Sequence, residues 1–120
     1  MTGANEVVLP WPKRDLHPNA RVHWAKKAKA AKSYRWACFA LSKSAKLEAP
    51  VLGKINLSIV FVPPDRRRRD IDGMLSAIKS GLDGLADALG VDDHRFSLAI
   101  GVAELVGNGG FVRVSVGTGS

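Results

Sequence analysis

The apolar residues of the chain recur with two different periods, and the order in which these periods follow one another predicts the fold. Residues 6–9 form a short apolar stretch that Pro10 ends, which is typical of a short strand. In residues 54–62 alternate residues are apolar, and the positions between them become apolar toward Val62. Residues 54–62 are therefore expected to form a central strand that is increasingly buried along its length.

Two longer stretches have apolar residues three and four positions apart, which is the spacing of one face of a helix. The first, residues 22–46, follows the helix-start pair Pro18-Asn19. The second, residues 70–89, is followed by Gly90, a residue type that often ends helices. The predicted buried stripe of this second helix comprises Ile71, Leu75, Ile78, Leu82, Leu85 and Leu89.

The C-terminal part adds two predicted strands, residues 96–106 and 111–116, joined by the turn-forming sequence Gly107-Asn108-Gly109-Gly110. The order β-α-β-α-β-β predicts one α+β domain over residues 1–120, with a mixed sheet packed by two helices. We expect the last two strands to pair as an antiparallel hairpin. Residues 1–5 and 117–120 are expected to be loose tails.

The length and the cysteine content limit the classes of protein to consider. A chain of 120 residues is one domain, and 46% hydrophobic with 24% charged residues is ordinary for a globular protein. The one cysteine, Cys38, excludes an internal disulfide and a cysteine-based zinc site, and it fits a reducing compartment. No apolar run approaches the roughly 20 residues that span a bilayer, and the first residues lack a secretory-signal pattern. We therefore expect a cytoplasmic protein without a membrane partner.

A net charge of +7 and a pI near 10.0 point to a polyanionic partner, a nucleic acid first and an anionic membrane surface second. No acidic residue lies between Asp15 and Glu48. Within that interval the basic residues of the predicted first helix include Lys26, Lys27, Lys29, Lys32, Arg35 and Lys43. This basic surface is either an ordinary solvated helix face or a surface that faces DNA.

The strongest concentration of charge is the segment 63–72, which leads from the central strand into the second helix. Two carboxylates, Asp70 and Asp72, follow a run of four arginines: Arg66, Arg67, Arg68 and Arg69. Folding alone gains little from this run, because like charges repel one another. Phosphodiester chemistry uses both kinds of group, with cations to hold phosphates and carboxylates to hold a hard divalent metal ion.

Each of these groups also has a structural interpretation. Asp70 is placed to cap the second helix, and Asp92 and Asp93, soon after Gly90, are compatible with a plain turn. The arginines can form ion pairs with Asp65 and Asp70, an arrangement that does not exclude phosphate binding.

A metal site that joined Asp70 and Asp72 to the later pair Asp92-Asp93 would face a problem of distance. The second helix separates the two pairs, and a helix of about 18 residues is roughly 27 Å long. The two pairs of acids can form one site only if the end of the second strand lies next to the middle of the third strand, or if a second subunit supplies the later acids. The sequence leaves both alternatives open.

Some single residues are further candidates. Lys79 lies on the same helical line as Asp72, and it either holds a phosphate or is an ordinary surface lysine. Trp24 lies within a basic run and is the candidate for stacking on a base, although core packing is the commoner role of tryptophan. We assign no role to the three histidines, whose spacing is not typical of a metal site: His17, His23 and His94.

Taken together, these segments resemble the RusA family of phage and prophage Holliday junction resolvases, and the resemblance covers nearly the whole chain. The most specific match is PDRRRRDID at residues 64–72. Further matches are LPWP at 9–12, PNAR at 18–21, LDGL at 82–85 and VDD at 91–93. The resemblance implies a homodimeric, Mg²⁺-dependent endonuclease, with Mn²⁺ as an alternative metal, that nicks two opposed strands of a four-way DNA junction.

The resemblance also implies roles for individual residues. The family's three essential acids correspond to Asp70, Asp72 and Asp93, which would hold the metal ion, with Asp92 as the alternative third ligand. The arginine before the first acid corresponds to Arg69, which joins the predicted catalytic set. The predicted DNA-binding set combines the arginine run with lysines of both helices: Arg66, Arg67, Arg68, Arg69, Lys26, Lys27, Lys29 and Lys79.

Two positions depart from the family pattern. Family members commonly have asparagine where this chain has Gly73, and some have an essential lysine where it has Ser76. Lys79, one turn further along the same face, is the candidate replacement for that lysine and is included among the predicted catalytic residues. Two other functions fit the same residues: a basic DNA-binding protein without catalysis, and a nuclease for other branched DNA.

Overall fold

Residues 5–104, 106 and 109–117 are described by the structure, a computed structural model. Within them the chain forms four strands and three α-helices. In chain order these are β1 (Glu6–Pro10), α1 (Trp24–Ser44), β2 (Ile55–Val62), α2 (Ile71–Ala77), α3 (Lys79–Leu89), β3 (Phe96–Val102) and β4 (Phe111–Val116). Short 3-10 turns, Arg14–Leu16 and Asp93–Arg95, precede α1 and β3.

The strands form one mixed sheet in the order β1-β4-β2-β3. β2 pairs in parallel with β3, from Ile55 opposite Phe96 to Phe61 opposite Val102. On its other side β2 pairs antiparallel with β4, which in turn pairs antiparallel with β1. The predicted α+β class, the mixed sheet and the central position of β2 are thus confirmed.

The predicted hairpin of the last two strands is wrong, because β2 lies between β3 and β4. β2 is buried along one whole face and at the end of the other, so an interior position satisfies its backbone groups on both edges. A glycine-rich segment is compatible with a connection from β3 to β4 across the end of β2, just as it is compatible with a tight turn. Gly107 and Asn108 of the predicted turn lie outside the described residues, and β3 ends at Val102 rather than at residue 106.

The core lies between the sheet and the helices, which pack on one of its faces. The alternate residues of β2 that were predicted to face inward are at most 1% exposed: Ile55, Leu57, Ile59 and Phe61. The same buried cluster takes side chains from β1, from β4 and from all three helices: Leu9, Cys38, Met74, Leu85, Val112 and Val114. The inward pattern read from residues 54–62 is therefore confirmed.

The predicted second helix is in fact two helices that meet at Ile78. The backbone of Ile78 has φ −97° and ψ 4°, outside the helical range, so α2 ends there and α3 begins at the next residue. In α3 the predicted stripe residues Leu82 and Leu85 are buried. In α2, however, Ile71 is 46% exposed, and Met74 and Ala77 are buried instead. Three helices, rather than the predicted two, pack on the sheet.

α1 and α3 lie in close contact because α3 presents glycines to α1. A Cβ atom on Gly84 would overlap the backbone of Arg35, and one on Gly81 would overlap the ring of Tyr34. α1 in turn buries Tyr34 and Cys38, and the Tyr34 hydroxyl donates a hydrogen bond to the Pro10 carbonyl oxygen at 2.7 Å. Burial raises the pKa of the Cys38 thiol to about 12, so this cysteine is a neutral core residue.

The ends of the described chain are attached to the sheet. The Asn5 side chain donates to the carbonyl oxygens of Glu48 and Val116, and the Gly117 N–H donates to Asn56. The tail prediction is therefore wrong for Asn5 and Gly117, whereas residues 1–4 and 118–120 lie outside the described residues. Among the helices that are described, none is both long and apolar enough to cross a bilayer.

Candidate functional site

Asp70 and Asp72 lie where the chain leaves β2 and enters α2, beyond Pro63 and Pro64. Asp70 is the residue before α2 and has an extended backbone, with φ −93° and ψ 129°, while Asp72 lies in the first helical turn. The Asp70 side chain makes no capping hydrogen bond, although its position is that of a helix cap. Both residues are exposed, and neither carboxylate has a hydrogen bond or ion pair with another described residue. Asp70 is thus the N-cap residue of α2 and faces the helix dipole, but without a capping hydrogen bond both carboxylates remain available to a cation.

His17, to which sequence analysis assigned no role, approaches the same place. Asp70 Oδ2 and His17 Nδ1 are each 3.9 Å from the position that a Cβ atom on Gly73 would occupy. The His17 backbone is fixed, because its carbonyl oxygen accepts hydrogen bonds from Lys27 Nζ and the Ala20 N–H, both at 3.1 Å. Only the three-dimensional arrangement identifies His17, because it lies far from Asp70 in the sequence.

Arg69 has a different environment from the other arginines of the run. Its side chain is 15% exposed and forms an ion pair with Asp65 at 2.9 Å. It also donates to the carbonyl oxygens of Asp65 and Arg67, and its guanidinium lies 5.4 Å from the centroid of the Trp11 ring. Arg69 thus holds the segment 63–70 against the end of β1, which fixes the backbone that presents Asp70.

Arg66, Arg67 and Arg68 are exposed, as a phosphate-binding role requires. The Arg67 N–H donates to the Asp65 carboxylate at 2.9 Å, and this bond, with the help of Arg69, holds the pKa of Asp65 below its usual range. The arginine run therefore pairs with Asp65, as one alternative proposed, but not with Asp70. Asp65 neutralises only part of the run.

The later acids lie at the other end of the sheet. Asp92 accepts a hydrogen bond from the His94 N–H at 2.9 Å and caps the 3-10 turn before β3, so its structural interpretation is confirmed. This bond holds the pKa of Asp92 low, and Asp92 in turn raises the pKa of His94. Ligand atoms of Asp92, Asp93 and His94 all lie within 4.8 Å of one another.

One chain does not bring the predicted metal ligands together. Asp70 and Asp72 follow the end of β2, whereas Asp93 precedes β3, which runs parallel to β2 and begins beside its start. The seven residue steps of β2 span about 23 Å. Among the described residues, no group of three ligand atoms joins Asp70 or Asp72 to Asp93. The distance problem raised by the sequence is therefore real within a single copy.

The later acids face an acidic pocket of about 310 Å³ that was not predicted as a unit. Besides Asp92 and Asp93 it is lined by two carboxylates of α3, which lie four residues apart, and by α1: Asp83, Asp87 and Arg35. Arg35 forms an ion pair with Asp87 at 2.8 Å, which holds the pKa of Asp87 low. Asp93, a predicted metal ligand, lies 3.5 Å from His94 Nδ1, and among the described residues Asp83 forms no ion pair.

The predicted DNA-binding lysines differ in their availability. Lys26 and Lys29 of α1 are exposed, as is Lys79 at the first position of α3. Lys27 is half-buried and donates to the His17 carbonyl oxygen, so it fixes the loop that carries His17. The exposed lysines fit a phosphate-binding role, and Lys27 fits a structural one.

Comparison with known proteins finds similarity to a bacterial protein. The chain is 47% identical over 93 residues to a protein of Xylella fastidiosa (strain Temecula1) that is described only as uncharacterized. The match covers 75% of this chain and 61% of the relative, so the chain spans about three fifths of the relative's length. No family model matches the sequence.

Proposed function

We propose that this protein is a metal-dependent endodeoxyribonuclease of the RusA type, which cleaves four-way or otherwise branched DNA. The observation that carries the proposal is the pair of unengaged carboxylates, Asp70 and Asp72, held directly behind three exposed arginines. Both acids lie at the N-terminus of α2, where their charge favours the helix dipole, but the Asp70 carboxylate makes no capping hydrogen bond. Carboxylates beside fixed cations are groups that the metal-assisted cleavage of a phosphodiester uses. A DNA substrate would place the protein in the cytoplasm.

The donors present suit Mg²⁺ or Mn²⁺, because both carboxylates offer hard oxygen ligands without a competing partner among the described residues. Asp70, Asp72 and Asp93 would hold the metal ion, which when bound supplies an activated water and neutralises charge on the phosphate. Arg66, Arg67 and Arg68 would hold phosphates of the substrate.

A second copy of the chain is part of the proposal. Asp93 lies at the opposite end of β2 from Asp70, so a complete site needs the Asp93 of a partner protomer. A two-fold dimer would then contain two such sites, related by the same axis as the two opposed cuts. In this arrangement Arg69 positions the segment that carries Asp70, while Lys79 is available to bind a phosphate.

The rival function is DNA binding without catalysis, and a specific observation favours it. Asp92 is engaged as a cap, and no three-ligand group in the described part of one chain includes Asp70 or Asp72. The two functions differ in what Mg²⁺ does to bound DNA.

The experiment that separates them is incubation with a labelled synthetic four-way junction and a linear duplex of the same sequence, with Mg²⁺, Mn²⁺ or EDTA. We expect paired nicks in the junction that require the metal, and little cleavage of the duplex. Tight junction binding without cleavage in either metal would instead establish the DNA-binding rival. Equal cleavage of forks or flaps would broaden the substrate to other branched DNA.

A further inference from the structure

α1 presents an exposed aromatic ring at the centre of a basic surface. The helix buries Tyr34 and Cys38, and at about 100° per residue Trp36 points away from both. The Trp36 residue is 65% exposed. Trp11 packs against the core, as expected of a tryptophan, but Trp36 does not. Burial in the core therefore does not account for Trp36.

The surface around Trp36 is basic. By the same helical geometry three lysines lie within about 60° of one another around the helix axis, on the side that bears Trp36: Lys29, Lys32 and Lys43. All three are exposed, and none forms an ion pair with a described residue. α1 contains no acidic residue. Arg35, by contrast, is neutralised by Asp87.

The ring is supported from one side. Trp36 and Phe39 have centroids 6.1 Å apart and planes at 80°, a near-perpendicular contact that restricts the indole. Phe39 is half-buried, so the support is anchored in the fold. A restrained aromatic ring loses less conformational entropy on contact with a ligand than a free one does.

The chemistry of this surface selects its partner. Lysines alone would suit the phosphates of a duplex, but an exposed, restrained ring among lysines suits a base that is not paired. A membrane surface would need an apolar stripe, whereas Trp36 is the one large and mostly exposed apolar side chain described on this side of α1. The charge of the surface opposes self-association, because a second copy would bring a second set of lysines.

We propose that Trp36, framed by Lys29, Lys32 and Lys43, is a stacking platform for an unpaired base of single-stranded nucleic acid. The platform goes beyond the proposed cleavage and does not depend on it. On branched DNA it would engage a strand that has opened next to the branch.

The experiment measures binding of the full chain to a fluorescent oligothymidine, to a duplex of equal length and to phosphatidylserine-containing vesicles. The variants are Trp36→Ala, Trp36→Phe and the control Leu41→Ala, which removes an apolar side chain 41% exposed on the same helix. Trp36→Ala should weaken oligothymidine binding by about 5-fold to 150-fold, the loss expected for one base stack. Duplex binding should change by less than about twofold, because no phosphate contact is lost.

Two further results complete the test. Trp36→Phe should retain most of the affinity, because a phenyl ring also stacks, and this variant separates stacking from folding. Lys32→Ala should reduce the log–log salt slope for the single strand by about 0.7, whereas Trp36→Ala should leave it unchanged. Unchanged oligothymidine binding by Trp36→Ala, or an equal loss for duplex and single strand, would overturn the platform. So would an effect of Trp36→Ala confined to vesicle binding or to self-association.

Discussion

The carboxylate of Asp70 and the imidazole of His17 approach one point in space, 3.9 Å from each, where a Cβ atom on Gly73 would lie. Gly73 is helical, has no positive φ, and its missing Cβ would meet only ordinary contacts. Neither strain nor crowding therefore explains a glycine in α2, where it costs roughly 0.5–1 kcal/mol relative to alanine. A Cβ atom there would lie between Asp70 and His17, at van der Waals distance from both.

The first prediction concerns Gly73→Ala. We expect this variant to be more stable by roughly 0.5–1 kcal/mol, because alanine favours the helix. Its metal-dependent cleavage should fall by about 10-fold to 100-fold, because the methyl group intrudes on the surroundings of a metal ligand. Thermal unfolding and junction nicking measure the two effects. A variant that is more stable and fully active would show that the position next to Gly73 takes no part in the site.

Gly84→Ala is the matched control for this prediction. Gly84 is also helical, but its Cβ would overlap the backbone of Arg35, so the variant should lose stability by about 1–3 kcal/mol. His17→Ala tests the other side of the space and should lower cleavage without lowering stability by more than about 0.5 kcal/mol.

The second prediction is that Asp70→Asn or Asp72→Asn abolishes cleavage and leaves junction binding unchanged or tighter. Each change removes a metal ligand and a negative charge close to the arginine run. Glu48→Gln, which changes an exposed carboxylate at the other end of β2, is the control and should cleave normally. Full Mg²⁺-dependent cleavage by either aspartate variant would exclude this pair from the metal site.

The sequence predicted the parts of the fold that depend on local periodicity. The inward residues of β2, and Leu82 and Leu85 of α3, follow from alternation and helical spacing. The position of β4 between β1 and β2 could not be predicted in this way. The order of strands depends on which strand edges still have unpaired backbone groups, and the residue pattern within one strand does not report this. The break at Ile78 also lacks a marker, since neither proline nor glycine occupies that position.

The part of the candidate site whose charged residues are neighbours in the sequence could be predicted. Asp70 and Asp72 were identified beside the arginine run, and the separation from Asp93 was foreseen from helix length. His17 was missed, because only the folded chain brings its loop close to Gly73 and Asp70. The engagement of Arg69 with Asp65 and Trp11 was missed for the same reason, since three separate segments meet there.

The third prediction concerns the buried thiol. Burial raises the pKa of Cys38 to about 12, so the folded protein should not react with a thiol reagent at pH 8, and the unfolded protein should react at once. The folded pKa exceeds the unfolded value, so this group favours folding below about pH 8.5, and the contribution is lost as pH rises toward 12. Rapid labelling of the native protein would contradict the buried position.

The fourth prediction concerns salt. Arg67 and Arg68 are exposed beside Asp70, so their replacement by alanine together should flatten the log–log salt slope of duplex binding by up to about 2 units. Arg35→Ala, which removes an arginine already paired with Asp87, should leave the slope unchanged. Arg69→Ala should instead lower the stability of the segment, because that side chain is bonded to Asp65. An unaltered salt slope in the double variant would show that DNA does not bind at this loop.

The last prediction addresses the distance between Asp70 and Asp93. A dimer that shares its acids would combine Asp70 and Asp72 of one protomer with Asp93 of the other, because β2 separates them within one copy. Asp70→Asn and Asp93→Asn should each be inactive alone. When the two are mixed and allowed to exchange subunits, half of the sites in each mixed dimer contain only native acids.

The mixture should therefore nick the junction once per mixed dimer and fail to make the paired cut. If each site instead lay within one chain, every site in the mixture would carry one altered acid, and no nicking would return. A mixture of Asp70→Asn with Asp72→Asn is the control, because both changes affect the same half of the site and cannot complement. Sedimentation at low micromolar concentration, before and after mixing, verifies that dimers form, and a monomer both free and on the junction would contradict the shared site directly.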